Sequence, residues 1–262
     1  MLLPEPGQLI AALNLPPDTH VDQRIPKKLL LEQGAPTAAD KRLIQDGIEE
    51  MVWLAVLKPA NIGVPEYRDE VREYLEIAVL TVSFRAAAKT ARLIELIHRA
   101  IPYPVLLIAA EADALSLSLA HKRWSQAEAG KVVIESVCQT NLSAAPTAAE
   151  NAFLASLALT QLPRLNLFAL YQGWNDRVAA LDAARIVGTY APPNSAEYSA
   201  ALREGLDTHT QLQQELATLR ALAAKEKQLA RRVEMNLELR RLQRELDDAV
   251  RKLTPSGEQT LL

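Results

Sequence analysis

Apolar positions in this chain change period several times, and each change marks an element. Thr37-Ala38-Ala39-Asp40 has the form of a capping box, with Asp where Glu or Gln is usual. Leu43, Ile44, Ile48 and Met51 follow at helical spacing, so a helix is predicted over 37–51. The run MVWLAVL at 51–57 is short, continuously apolar and stopped by Lys58-Pro59, the signature of a buried strand. A second strand is predicted over 74–84, where Ile77, Val79, Leu80 and Val82 supply the apolar side chains. Ala91, Leu93, Ile94 and Ile97 then favour a helix over 86–100, ended by Pro102. Residues 105–110 make a third apolar strand. Over 114–124, Leu115, Leu117 and Leu119 alternate with Ser116, Ser118 and Ala120, the period of a strand with one side more polar. A fifth strand is predicted over 132–137. The order describes an α/β (α+β) unit, a mixed sheet with flanking helices, with Trp53 and Leu106 in its core.

From Ala148 onward the pattern is helical. Phe153, Leu154, Leu157 and Leu159 precede Pro163; Leu165, Leu167, Leu170 and Trp174 precede a further helix over 178–187. Glycine and consecutive prolines in Gly188-Thr189-Tyr190-Ala191-Pro192-Pro193-Asn194 then break helical continuation. Three regions follow: an α/β domain at 1–141, a helical region at 142–194, and a coiled-coil-like arm with its tail at 195–262. Within the arm, Leu212, Leu216 and Leu219 begin a seam, and Met235, Leu239, Leu242, Leu246, Ala249 and Leu253 alternate spacings of four and three. Leu222, Leu229 and Val233 sit in a shifted frame between them, which disfavours a continuous zipper. The apolar stripe needs a covering surface: the helices between Ala148 and Val187, Leu212 to Leu219 in a hairpin, or a second copy, with pairing between copies through a seam of Met235, Leu239, Leu242, Leu246 and Leu253 slightly favoured over folding back. Thr254-Pro255-Ser256-Gly257 ends the arm.

Among 262 residues, 49% are hydrophobic and 23% charged, enough to bury a substantial core. The net charge of -3 and a pI near 5.9 exclude a globally basic nucleic-acid binder and leave room only for a local basic patch. The single cysteine, Cys138, has no internal disulfide partner and fits a reducing compartment. The start MLLPEPGQLIAALNLPPD lacks the basic and continuous apolar stretches of a secretory signal, and no later segment reaches bilayer-spanning length. The expected location is cytoplasmic, with no membrane contact.

The sequence carries no catalytic motif. His20, His98, His121 and His209 are scattered, Cys138 reads as a small packed residue, and GxxxxGK[ST], GxGxxG and GxSxG are all missing. No cofactor and no metal is expected. The enzymatic alternative is a divergent metal-dependent nuclease using Glu49, Glu50, Glu73, Glu76 or Arg85 beside a sheet. Its strand reads EIAVLTVSFR, without the paired acidic residue and lysine that such a strand needs. Lys27, Lys28, Lys58, Lys122 and Arg123 are candidate phosphate contacts, against the plainer reading of solubilising charge at element ends. In the arm, basic residues interleave with acidic ones, the composition of a solvated face, with an excess of basic charge that leaves nucleic-acid contact open.

Several segments taken together resemble a prokaryotic family catalogued only as a domain of unknown function, the four-three-nine-one family. They are Arg24-Ile25-Pro26-Lys27-Lys28, Ile48-Glu49-Glu50-Met51-Val52-Trp53, Leu57-Lys58-Pro59-Ala60-Asn61-Ile62, Tyr74-Leu75-Glu76-Ile77 and Ile97-His98-Arg99-Ala100-Ile101-Pro102-Tyr103-Pro104. The resemblance implies a protein often encoded near helicases and DNA methyltransferases of restriction-like, antiphage systems, and it supplies no catalytic residues to transfer. The expected role is therefore an accessory or adaptor subunit of a DNA-directed defence complex. Its expected partners are a helicase or DNA methyltransferase, with DNA or RNA contact and a homodimer through the arm as further candidates; a generic scaffold is the third alternative.

Overall fold

The computed structural model describes residues 6–111, 114–128 and 131–254, and the chain forms two compact units, Met1–Val178 and Ala179–Leu262. The first contains α1 (Pro6–Leu13), β1 (His20–Arg24), α2 (Lys27–Gln33), α3 (Ala38–Gly47), β2 (Ile48–Leu57), α4 (Pro59–Ile62), β3 (Tyr67–Arg68) and β4 (Glu73–Tyr74). Then come β5 (Ile77–Phe84), α5 (Thr90–Ala100), β6 (Val105–Ala110), β7 (Leu115–Trp124), β8 (Val132–Leu142), α6 (Ala148–Ser156) and the first part of α7 (Leu167–Val187). Six strands form a mixed sheet in the order β1-β2-β5-β6-β7-β8. Only β5 and β6 run parallel, because α5 carries the chain back across the sheet between them; every other neighbour is antiparallel.

One face of the sheet presents Ala78, Leu80, Val82 and Phe84 of β5 beside Val105, Leu107 and Ala109 of β6, and packs on Leu30, Ile44, Leu93 and Ile97 from α2, α3 and α5. Leu106, Ile108, Leu117 and Leu119 point the other way and are also buried. Central strands covered on both faces read as near-continuous apolar runs, which is why they were legible. Trp53 packs against the first face half-buried, whereas Leu106 is fully buried.

Several boundaries differ from the pattern's prediction. The helix over 37–51 ends at Gly47, and Ile48 and Met51 belong to β2. A register shift between Ile48 and Glu50 adds a residue to the strand, so two side chains three apart face the same core and imitate helical spacing. The strand over 74–84 is two pieces, Tyr74 pairing with Tyr67 in a separate two-stranded ribbon. The helix over 86–100 starts at Thr90, after a turn in which Ala87 takes a left-handed φ of 61°. On β7 the serine side is not solvent-facing: Ser116 and Ser118 are buried.

Helices α6 and α7 do not make the separate region read at 142–194. Trp174 of α7 donates its indole N–H to Leu157 O at 3.0 Å, and Tyr171 reaches β6 and β7, so α6 and α7 as far as Val178 are part of the first unit's core, and the rest of α7 belongs to the second unit. The predicted break is present, with Gly188 in a left-handed conformation at φ 89° after α7.

In the second unit, α8 (Ala196–Lys225) and α9 (Leu229–Leu253) form an antiparallel hairpin. Ser195 caps α8 by accepting from Tyr198 N at 3.1 Å. Leu212, Leu216, Leu242 and Ala249 are buried together, with Leu219, Leu239 and Leu246 packed around them. Leu253 joins Ala179, Ala180, Ala183 and Leu202. Thus Leu239, Leu242, Leu246 and Leu253 of the predicted seam are covered within the chain, because the break at residues 226–228 lets α9 return along α8. Pro255-Ser256-Gly257 lie outside the described residues.

Candidate functional site

Sheet register separates the candidate basic residues. Lys27 opens α2, is half-buried, and donates to Gln45 O at 3.1 Å, where α3 ends and β2 begins. Burial, and next the neighbouring Arg85 charge, draw its pKa below the ordinary lysine value. Lys28 is exposed and lies 3.7 Å from Glu32. Lys58 follows the far end of β2, with Nζ 2.9 Å from Glu76 Oε2. Lys122 and Arg123 lie near the end of β7, at the edge of the sheet where β2 finishes and β5 begins. Lys27 therefore does not share a surface with Lys58 or Lys122. Lys122, moreover, is only 5% exposed and is not part of an outward phosphate-contacting patch.

The carboxylates considered for a nuclease are spread among separate ion pairs. Glu50 lies 3.4 Å from Arg24, Glu73 pairs with Arg68, and Glu76 pairs with Lys58. Arg85 caps the end of α3 through Asp46 O at 3.3 Å. Among the described residues, no group of three His, Cys, Asp or Glu is placed to hold a metal ion. Cys138 is half-buried on β8, opposite Leu119.

The structure assembles two buried polar groups that sequence reasoning missed. On the α5 face of β7, His98 Nε2 lies 2.9 Å from Ser118 Oγ, and Lys122 Nζ donates to the main-chain carbonyls of Ile101 and Tyr103. Desolvation draws the Lys122 ammonium down to about 7. Burial, with the Lys122 charge adding to it, holds His98 neutral with a pKa of about 3. On the opposite face, Tyr74 Oη and His121 Nδ1 are 2.6 Å apart within a cluster that includes Phe168 and Tyr171. Burial raises the pKa of both tyrosines, so their hydroxyls stay protonated and serve as hydrogen-bonding groups. The alternating serines of β7 were the available signal for the first group, since a hydroxyl repeated on one strand side also suits a covered polar stripe.

Lys122 also lines a cavity of about 230 Å³, with Arg123, Trp124, Tyr103, Pro102 and Leu75 among its walls. Across the Pro102-Tyr103 turn lies a second, apolar hollow of about 390 Å³ between Trp53, Leu29 and Ile101.

A different feature marks the second unit. The packed hairpin core reaches Leu219 and Leu239; toward the turn, Leu222, Leu229, Val233 and Leu237 stand 53%, 67%, 50% and 60% exposed. Leu229, Val233 and Leu237 recur every four residues on α9 and so share one face. Lys225, Lys227, Arg231 and Arg232 are exposed around them and make no ion pair among the described residues.

A family model for a domain of unknown function matches residues 13–246. No curated protein and no solved structure matches the chain. No described helix is long and apolar enough to cross a membrane.

Proposed function

The chain belongs to the DUF4391 family, and from that premise we propose that it is an accessory subunit that docks a larger enzyme of a prokaryotic, DNA-directed defence system through the tip of its helical hairpin. The observation that carries the reading is the exposed stripe of Leu229, Val233 and Leu237. Water-exposed leucines repeating on one helix face mark an interaction surface, and the hairpin's own core leaves them uncovered. Lys225, Lys227, Arg231 and Arg232 around the stripe favour an acidic amphipathic segment as the occupant, its apolar side on the leucines and its carboxylates at the rim. In this reading the partner, a helicase or DNA methyltransferase, performs the chemistry on nucleic acid in the cytoplasm.

Affinity purification from the native host, comparing the wild-type chain with a Leu229→Ser, Val233→Ser, Leu237→Ser variant, tests this. Recovery of a helicase or methyltransferase with the wild type and its loss with the variant, at unchanged helicity, supports the proposal. Equal recovery overturns the docking surface. A wild-type dimer that the variant converts to monomer would assign the stripe to a second copy instead.

A further inference from the structure

We propose that the cavity beside Lys122 binds a small organic oxyanion, a carboxylate or phosphate monoester, whose flat apolar body lies against Tyr103 and Trp124. The chemistry starts from the ammonium. It has three N–H donors, and Ile101 O and Tyr103 O take two. No carboxylate pairs with it among the described residues, although Lys122 is more than nine-tenths buried. A buried cation without a counter-ion is costly unless something neutralises it, and that cost is visible in its lowered pKa. The Lys122 side chain is at the same time part of a cavity wall.

The wall supplies the rest of the specificity. A register shift between His121 and Lys122 interrupts strand alternation, and Lys122, Arg123 and Trp124 all line the same space. The wall's carboxylate, Glu73, is already paired with Arg68, so the unsatisfied charge is positive. At about 230 Å³ the space is below the roughly 300–1,000 Å³ of pockets for drug-sized ligands, and suits a single ring bearing an acid group or the end of a longer ligand. Pro102, Tyr103, Trp124 and Leu75 give that body apolar contacts.

Calorimetry on the full chain with benzoate and with thymidine 5′-monophosphate, alongside benzamide, thymidine and inorganic phosphate, tests the site. At least one of the two organic acids should bind saturably and shift the Trp124 indole resonance. Its neutral counterpart should bind at least tenfold more weakly, and inorganic phosphate should bind more weakly than the organic acid. Preference for benzoate identifies a carboxylate ligand, and preference for the nucleotide identifies a phosphate monoester. Lys122→Met should weaken binding at least tenfold. Arg123→Gln, a half-buried position whose change leaves the Ile101–Tyr103 clamp intact, should weaken it severalfold. No saturable binding by either acid, equal binding of the neutral analogues, or binding that neither substitution affects would overturn the proposal.

Discussion

The hydroxyl of Tyr171 accepts a hydrogen bond from the main-chain N–H of Ala120 at 2.7 Å. The same hydroxyl lies 2.6 Å from Val105 O, to which it donates. The β6–β7 ladder ends at Leu106 and Leu119, and the helix-borne hydroxyl stands where the next strand-to-strand hydrogen bond would form. Tyr171→Phe keeps the ring but leaves a buried donor and acceptor without their partner. It should cost about 1–3 kcal/mol in urea unfolding, with an unchanged m value. Because burial raises the folded-state pKa of Tyr171, the folded chain retains a proton that the unfolded chain loses above pH 10. Stability should therefore fall as pH rises beyond about 10, and less steeply in the phenylalanine variant.

Leu106 is fully buried on the face of β6 opposite the α5 core. Leu106→Ala should destabilise the first unit by about 2–5 kcal/mol, the range for a leucine deletion that leaves a cavity. A loss well below that range in equilibrium unfolding would show that the second face of the sheet can collapse into the space.

Gly34 ends α2 where it meets α5. A methyl group added there would lie 2.7 Å from the Ala100 side chain and 2.8 Å from Leu96 O, and a helix backbone cannot yield as a side-chain tip can. Gly34→Ala should destabilise by about 1–3 kcal/mol despite alanine's better helix propensity. Thermal unfolding should show a lowered Tm with the strand signal of the folded state retained.

For Lys122 the sign of the pH dependence runs opposite to that of a salt-bridged lysine. Its folded pKa is about 7 against an ordinary 10.5, so the unfolded chain binds the extra proton between those values. The wild type should gain stability relative to Lys122→Met as pH rises from about 7 toward 9.5, by at most about 1.4 kcal/mol per pH unit. A difference that stays flat in denaturant titrations at pH 7 and pH 9.5 would show that the ammonium is not desolvated.

Leu239 and Leu246 pack around the Leu212, Leu216 and Leu242 core of the hairpin. Replacing both with glutamate should lower helicity and Tm in a chain whose light-scattering mass does not change. A fall from dimer to monomer with helicity preserved would return the seam to an intermolecular role.

Much of the architecture was readable from local pattern, for reasons that particular residues show. Val105–Ala110 is buried on both faces, so its apolar run and its strand coincide residue for residue. Thr37 caps α3 as its spacing with Asp40 requires, accepting from Asp40 N at 3.1 Å. The frame break before Met235 correctly signalled a discontinuity in the arm. Periodicity, however, records which side chains are covered and not what covers them. Ile48 and Met51 imitate a helical period because a bulge in β2, formed only opposite β5, turns both side chains to one core. Ser116 and Ser118 look solvent-facing until α5 is laid over them. Lys122 illustrates the same limit at the candidate site: in the sequence it stands among Lys122-Arg123-Trp124 as ordinary surface charge. Its burial depends on a turn at Ile101–Tyr103, about twenty residues earlier in the chain, whose carbonyls reach the ammonium only when β6 and β7 pair. Local sequence determined the elements and their apolar faces; the pairing of distant segments, which sets desolvation and hydrogen-bond partners, decided which polar residues became chemically unusual.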